Sequence, residues 1–303
     1  MVASRSKHIR RLLIFSLITF ALAACSPVTS SFLDPSGPVA ASQRRLFFEV
    51  IGWMMIVVVP VLVLVPLFAW RYRRGNAAAQ YRPEWTFSWP LEFLIWGVPV
   101  AIVAILSVLV VTREVRLDPY AALPSNKPPL EIQVVGLDWK WLFIYPEQHI
   151  ATVGMLGLPS GRPVRFRLTS DTVMQSFFIP ALGSQIYAMA GMVTKLNLEA
   201  DRIGRLSGRN TQYNGNGFHQ QRFTVSVTSP QDFSAWVEKV RSRGKPLDGA
   251  AYGQLSRRGT AAEAHDRLGM AGMPKSIVYF SQVKPNLFSG IVGKYRHFAE
   301  TER

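Results

Sequence analysis

The apolar residues of this chain fall in blocks. Val50 to Trp70 runs 21 residues without a charge, and Phe93 to Thr112 is a second uncharged run of similar length. At 1.5 Å per residue, a helix of that length covers about 30 Å, the thickness of a hydrocarbon core. Both runs therefore predict membrane-spanning helices. Pro60 and Pro66 inside the first would break a soluble helix, but membrane helices tolerate them where neighbours satisfy the freed carbonyls. A third, shorter block, Leu12 to Leu22, is too short to span.

From Glu131 onward the period changes to two. "LEIQVVGLDWKWLFIYP", "PVRFRLTS", "VTKLNLEA" and "RFTVSVTS" alternate apolar and polar positions between clusters of Gly, Pro, Ser and Asn, and predict strands. Short strands at that spacing predict a β-sandwich or barrel. "SPQDFSAWVEKVRS" then predicts a helix, with Ser229 and Asp232 as start signals and Phe233, Trp236, Val237 and Val240 on one face. Residues 243–274 are rich in Gly and Arg and are expected to form a mobile surface segment with a short helix. "IVYFSQVKPNLFSGIVGKYRHF" closes the chain with another apolar and aromatic stretch.

The N-terminus changes the picture of where these parts lie. Arg5, Lys7, Arg10 and Arg11 precede Leu12–Leu22, and small residues follow, the layout of an export signal. Its end, Leu22-Ala23-Ala24-Cys25, resembles the bacterial lipobox, so residues 1–24 are expected to be removed and Cys25 lipidated as the mature N-terminus. Residues 25–45 then form a periplasmic link and 46–112 a transmembrane hairpin. Its loop, about 71–90, carries Arg71, Arg73, Arg74 and Arg82 against Glu84 and, just beyond it, Glu92, and is cytoplasmic by the positive-inside rule. Both flanks of the hairpin then face the periplasm, in agreement with an exported Cys25. Trp70, Trp85 and Trp89 are expected as aromatic anchors at the inner interface. The sandwich is expected over 125–230, and 231–303 as a helical, aromatic-rich tail.

Charge and cysteine content exclude more than they reveal. The chain carries 34 Lys and Arg against 19 Asp and Glu, a formal charge of +15. With no basic helix bearing base-reading residues and no nucleic-acid motif, that balance fits membrane topology and anionic lipid rather than nucleic acid. Cys25 is the single cysteine of the 303 residues, which excludes an intrachain disulfide and any site built from two thiolates. Two places hold candidate chemistry. Glu92 stands at the cytoplasmic mouth of the second apolar run, where a carboxylate serves either as a helix-start charge or as the mouth of a proton path. The stretch "RNTQYNGNGFHQQRF", residues 209–223, has the outline of a ligand loop, with His219 as its one imidazole.

The order of these parts resembles subunit II of the haem–copper respiratory oxidases, and within that family the ubiquinol (cytochrome o) branch. "EFLIWGVP", "DWKWLFIYPEQHIATV", "VMQSFFIPALGSQIYAMAGM" and "VYFSQVKPNLF" carry the resemblance, which runs from Cys25 to about Phe298 and weakens over 243–274. It implies a membrane-anchored α+β chain: a two-helix hairpin followed by a periplasmic cupredoxin-like sandwich and the tail. In the cytochrome c branch that sandwich holds two copper ions through a His and a Cys-x-Glu-x-Cys-x-x-x-His-x-x-Met loop. Laid on this sequence, the first His falls on Gln175 and the loop positions on Asn210, Gln212, Asn214, Phe218 and Gln221. His219 lies one residue beyond the position where Phe218 stands. Amides cannot replace the bridging thiolates that select a copper pair.

The resemblance therefore implies a chain with no cofactor of its own, in an inner-membrane complex that takes electrons from quinol rather than cytochrome c. Haems and copper would reside in a large subunit I, with small membrane subunits III and IV as further partners. It implies for Glu92, in Glu-x-x-x-Trp-x-x-Pro with Trp96 and Pro99, a place near a proton path. For the run Trp139, Trp141, Phe143 and Tyr145 it suggests packing against the large subunit. Three alternatives stand beside this reading: a menaquinol oxidase subunit of the same family, a copper-bearing cytochrome c oxidase subunit, and a free-standing assembly lipoprotein. The missing thiolates oppose the second. The third should show exposed Met or His clusters, for which Met189 and Met192 are the nearest candidates.

Overall fold

The computed structural model describes residues 31–76, 79, 84–270 and 272–301. Cys25, the signal segment and Arg82 lie outside the described residues. Two long apolar helices come first, α1 over Pro38–Arg71 and α2 over Trp89–Leu117. Nearly all their large side chains are exposed, from Met54 and Leu62 to Val103 and Val111. Helices of this length and apolarity cross a membrane and leave their sides to lipid or to other helices.

α1 begins eight residues before the 46 expected from the apolar run. Pro38 explains the early start: its fixed φ suits the first helical position, and Gly37 before it is extended. The extra turns are polar on the outside, so hydrophobicity alone could not report them. They dock on the soluble part. Ser36 N donates to Ala181 O at 2.7 Å, Ala40 N to Leu182 O at 3.1 Å, and Gln43 exchanges two hydrogen bonds with Ser184. Gly183, with φ +95°, lets the chain turn against Ala40 without a side chain in the way. Past the end of α2, Asn197 takes hold of Pro119 and Tyr120 through three hydrogen bonds. Between the helices, Arg113 pairs with Glu49 at 3.5 Å.

The soluble part is a sandwich of two sheets. Its strands are β1 (Leu130–Leu137), β2 (Lys140–Tyr145), β3 (Ile150–Val153), β4 (Met155–Pro159), β5 (Val164–Ser170), β6 (Gln175–Ile179), β7 (Gly183–Ala188), β8 (Thr194–Leu198), β9 (Gly204–Asn210), β10 (Arg222–Thr228), β11 (Lys245–Leu247) and β12 (Val278–Val283). One sheet has seven strands in the order β11-β12-β3-β2-β1-β5-β8, the other five in the order β4-β10-β9-β6-β7. Between them Phe177 stacks on Phe223 at 5.3 Å, with Trp141, Phe143 and Phe166 around that pair. Such aromatic contacts add about 0.5–1.5 kcal/mol each to the burial of their area.

Two expectations need correction. Trp141, Phe143 and Tyr145 are buried inside the sandwich and do not face a partner; only Trp139 is partly exposed. The period of two does put these side chains on one face, and that face is the core between the sheets. Residues 243–274, expected to form a surface segment with one short helix, contain β11 and two helices, α4 (Gly249–Ser256) and α5 (Ala261–Arg267). Asp248 and Thr260 cap them, and Leu247, Leu255 and Ala264 are buried. Helix α3 (Pro230–Arg243) forms as its pattern predicted: Ser229 Oγ accepts from Asp232 N at 3.1 Å, and Phe233, Val237 and Val240 are buried. The last helix, α6 (Leu287–Thr301), follows β12.

Candidate functional site

Four of the six positions read from the loop pattern meet through their side chains. Gln175 opens β6, Asn210 ends β9, and Asn214 lies in the loop between β9 and β10. Gln221 follows a 3-10 turn, Phe218–Gln220, and leads into β10. Pairing of Phe177 with Asn210 brings β6 and β9 together at this end of the sandwich. Gln221 is the hub. Its Oε1 accepts from Asn210 Nδ2 at 2.9 Å and Asn214 Nδ2 at 2.8 Å, while its Nε2 donates to Gln175 Oε1 and faces Leu137 O at 3.2 Å. Gln175 Nε2 in turn donates to Thr172 Oγ1 at 3.0 Å. Gly136 makes room for this, since a Cβ there would sit 2.7 Å from Gln175 Oε1.

Asn210 uses its whole hydrogen-bonding capacity. Its Oδ1 accepts from Ser176 N and Gln212 N, both at 2.9 Å, and its Nδ2 reaches Gln212 O at 2.8 Å as well as Gln221. Gln212 enters the network through its main chain. Phe218 lies outside it, half-exposed, with its ring 5.8 Å from that of Tyr213. His219 is exposed, and its ring hydrogen-bonds the neighbouring Gln220 side chain at 3.2 Å. The donor set is therefore amide oxygens, those of Gln175, Asn210 and Gln221 engaged by N–H groups and that of Asn214 left without a partner, with no thiolate and no imidazole among the described residues of the cluster. It does not fit a copper pair, which needs soft bridging ligands. Among the described residues, no group of three or more His, Cys, Asp or Glu could hold a metal ion.

Sequence reasoning missed what covers this loop. Trp139 takes φ +65° in the tight turn between β1 and β2 and lies over Gly217, with Nε1 donating to Asn214 O at 3.3 Å. The Arg258 guanidinium sits 4.8 Å above its ring and 3.7 Å from Asp138. Next to it Lys140 is buried and gives its ammonium to three carbonyls, Asp138 at 3.0 Å, Arg257 at 2.9 Å and Gly259 at 2.8 Å. Burial, followed by repulsion from Arg267, pulls its pKa down to about 8. The one available signal was a charged residue between two tryptophans in an otherwise apolar strand.

Asp171, four residues before Gln175, is a second junction. It is buried, accepts from Tyr252 Oη at 2.7 Å and Lys294 Nζ at 2.9 Å, and gives its carbonyl to Tyr295 Oη at 2.6 Å. It ties α4 and α6 to the loop before β6. Burial, followed by repulsion from this carboxylate, pushes the Tyr252 hydroxyl well above the usual tyrosine range.

Glu92 lies far along the chain from this end, in the first turn of α2. It is half-exposed, and its Oε2 accepts from Trp96 Nε1 at 3.2 Å, one turn further along. A carboxylate at that place is favoured by the helix dipole.

No family model matches the chain. Curated relatives do. It is 43% identical over 265 residues to cytochrome bo(3) ubiquinol oxidase subunit 2 of Pseudomonas putida, covering 88% of this chain and 80% of that protein. It is 44% identical over 267 residues to ubiquinol oxidase subunit 2 of Acetobacter aceti, covering 88% and 82%. Quinol oxidase subunit 2 of Bacillus subtilis is 38% identical over 253 residues, covering 82% and 78%. Among solved structures, the periplasmic domain of subunit II of cytochrome oxidase from Bradyrhizobium japonicum matches 37% of this chain and 94% of that chain. Its TM-score is 0.36 and its identity 22%.

Proposed function

Because this chain belongs to the quinol oxidase subunit 2 family, as a membrane-anchored, non-catalytic part of an oxidoreductase complex, we propose that it serves a ubiquinol-oxidising terminal oxidase of the bacterial inner membrane without bearing a redox centre. The hub at Gln221 carries this reading. Where an electron-accepting relative would need thiolates, this loop has amides that hydrogen-bond one another through Gln221, so it holds its own shape. Ubiquinol is lipid-soluble and reaches its site from within the membrane, so no water-soluble donor such as cytochrome c has to dock on the sandwich. The haems and copper that reduce O2 belong in this reading to subunit I, with subunits III and IV completing the complex.

The chain's own residues then do mechanical and electrostatic work. α1 and α2 offer apolar sides to subunit I and to lipid, and the docked start of α1 fixes the sandwich above them. The arginines after α1 hold that end in the cytoplasm by the positive-inside rule. Cys25, lipidated, would add a second anchor at the periplasmic leaflet. Glu92, at the cytoplasmic mouth of α2, would gather protons for subunit I.

The test is isolation of the solubilised complex through a tag on this chain. Expected are a reduced-minus-oxidised haem spectrum, co-extracted ubiquinone, and copper only in proportion to subunit I. Copper bound to this chain when it is separated from the others would overturn the proposal, and menaquinone in place of ubiquinone would overturn its substrate.

A further inference from the structure

On the topology above, the periplasmic end of a spanning helix should be poor in cations. α1 nonetheless carries Arg44 and Arg45 there, five and six residues before the uncharged run that starts at Val50. At 1.5 Å per residue that puts them roughly 8–9 Å above the hydrocarbon, the level of lipid phosphates. Both are exposed, and neither has a carboxylate partner among the described residues. The nearest acid on the helix, Glu49, is engaged by Arg113 of α2 at 3.5 Å.

Their neighbours make the pair more than a chance of composition. Ala41, Arg44, Arg45, Phe48 and Glu49 follow the i, i+3, i+4, i+7, i+8 spacing of one helix face. With Pro35 they line an open cleft of about 600 Å³. Arg44 sits over the Phe48 ring at 6.0 Å, which orients its guanidinium along the face. Lower on the same face come Gly52, Met55, Ile56 and Val59, all exposed, and nothing lies within 4 Å of the place a Cβ would take on Gly52. Two guanidiniums without a carboxylate partner among the described residues are thus followed along one face by an aromatic ring, a notch and an apolar strip. That order matches phosphate, glycerol region and acyl chain of one lipid.

We propose that this face of α1 binds an anionic phospholipid of the phosphatidylglycerol type, with Arg44 and Arg45 on its phosphate and an acyl chain laid along Gly52 to Val59. A planar guanidinium pair suits phosphate geometry better than lysines would. The inference rests on the proposed orientation only for which leaflet supplies the lipid. Binding itself does not depend on it, nor on which quinol is used.

The test titrates phosphatidylglycerol into the delipidated intact complex, with bound lipid counted by native mass spectrometry. Phosphatidylcholine and free glycerol phosphate serve as separate arms. The wild type should retain a phosphatidylglycerol that phosphatidylcholine does not replace and that glycerol phosphate does not compete away. Arg44→Gln with Arg45→Gln should weaken retention on the order of tenfold or more, because each cation near the surface adds attraction for an anionic lipid. Gly52→Leu, which fills the notch and keeps both charges, should weaken it too. Equal retention in the double variant, or indifference to headgroup, would overturn the proposal. So would loss of a partner subunit from the double variant while phosphatidylglycerol binding persists, because the arginines would then be a protein contact.

Discussion

Nε2 of Gln221 donates to Oε1 of Gln175, joining the strand that opens after the loop to the strand that begins after Asp171. In the loop pattern read from the sequence these two residues fall on the methionine and first histidine positions, and in the structure their side chains are hydrogen-bonded to each other.

Gln221→Leu should therefore destabilise the sandwich by about 2–4 kcal/mol, since buried groups on Gln175 and Asn214 lose their partner. Asn210 would keep Gln212 O as an acceptor and suffer less. Asn214→Ala should cost less, about 1 kcal/mol or below, because Asn214 is partly exposed and its Oδ1 has no partner to lose. Denaturant unfolding of the subunit in detergent measures both. Equal effects of the two substitutions would remove Gln221 from its central role.

Helix α3 and the segments of β1, β2, β5, β8 and β10 were legible from their alternation or helical period, and the spanning helices from their uncharged runs, whereas the polar first turns of α1 and the strands β3, β4, β6, β7, β9, β11 and β12 were not. The degenerate loop was legible as a set of positions, yet its network was not, because amides at Gln175 and Gln221 read equally well as exposed polar residues. Spacing also could not show that Trp141 to Tyr145 face inward, since alternation reports two faces and not what covers them. At 243–274 the buried residues are few and separated by Gly and Arg, so no period survives. What orders that segment is long-range: Lys140 holding Arg257 and Gly259, and Tyr252 on Asp171.

Lys140 gives a pH dependence with a definite sign. Its pKa falls from 10.5 in the unfolded chain to about 8 in the fold, so between those values the unfolded chain binds more protons. Stability contributed by this group then rises with pH from about 8 to 10.5 and is flat below 8. The full span is about 3 kcal/mol, as each pKa unit corresponds to about 1.4 kcal/mol. In Lys140→Met that slope should vanish. Unfolding midpoints of both proteins across this window check it, and parallel curves would show that Lys140 keeps its proton through hydrogen bonds alone.

The joint between membrane and sandwich rests on Gly183 and Gln43. Gly183→Ala would place a Cβ 2.8 Å from Ala40 N at a φ of +95°, and should cost roughly 1–3 kcal/mol by strain. Gln43→Ala removes two hydrogen bonds at a partly exposed place and should cost about 1 kcal/mol. Hydrogen exchange at residues 36–43 should rise in both variants, while the core around Phe177 stays protected. Uniform loss of protection would mean that the joint is not a separate unit.

Glu92 and Trp96 make the last prediction, and the substitution has to separate charge from shape. Glu92→Gln keeps an acceptor for Trp96 Nε1 and nearly the same volume, so helix α2 and its packing should survive. What is lost is a carboxylate able to take up and release a proton near a membrane surface. Oxygen consumption by the assembled complex should fall several-fold, with haem content unchanged and proton uptake slowed to match. Trp96→Phe, which frees the carboxylate and keeps its charge, should leave turnover near that of the wild type. If both variants turn over normally, Glu92 is a helix-start charge and nothing more. If Trp96→Phe is slow and Glu92→Gln is not, the hydrogen bond and not the proton is what the complex needs.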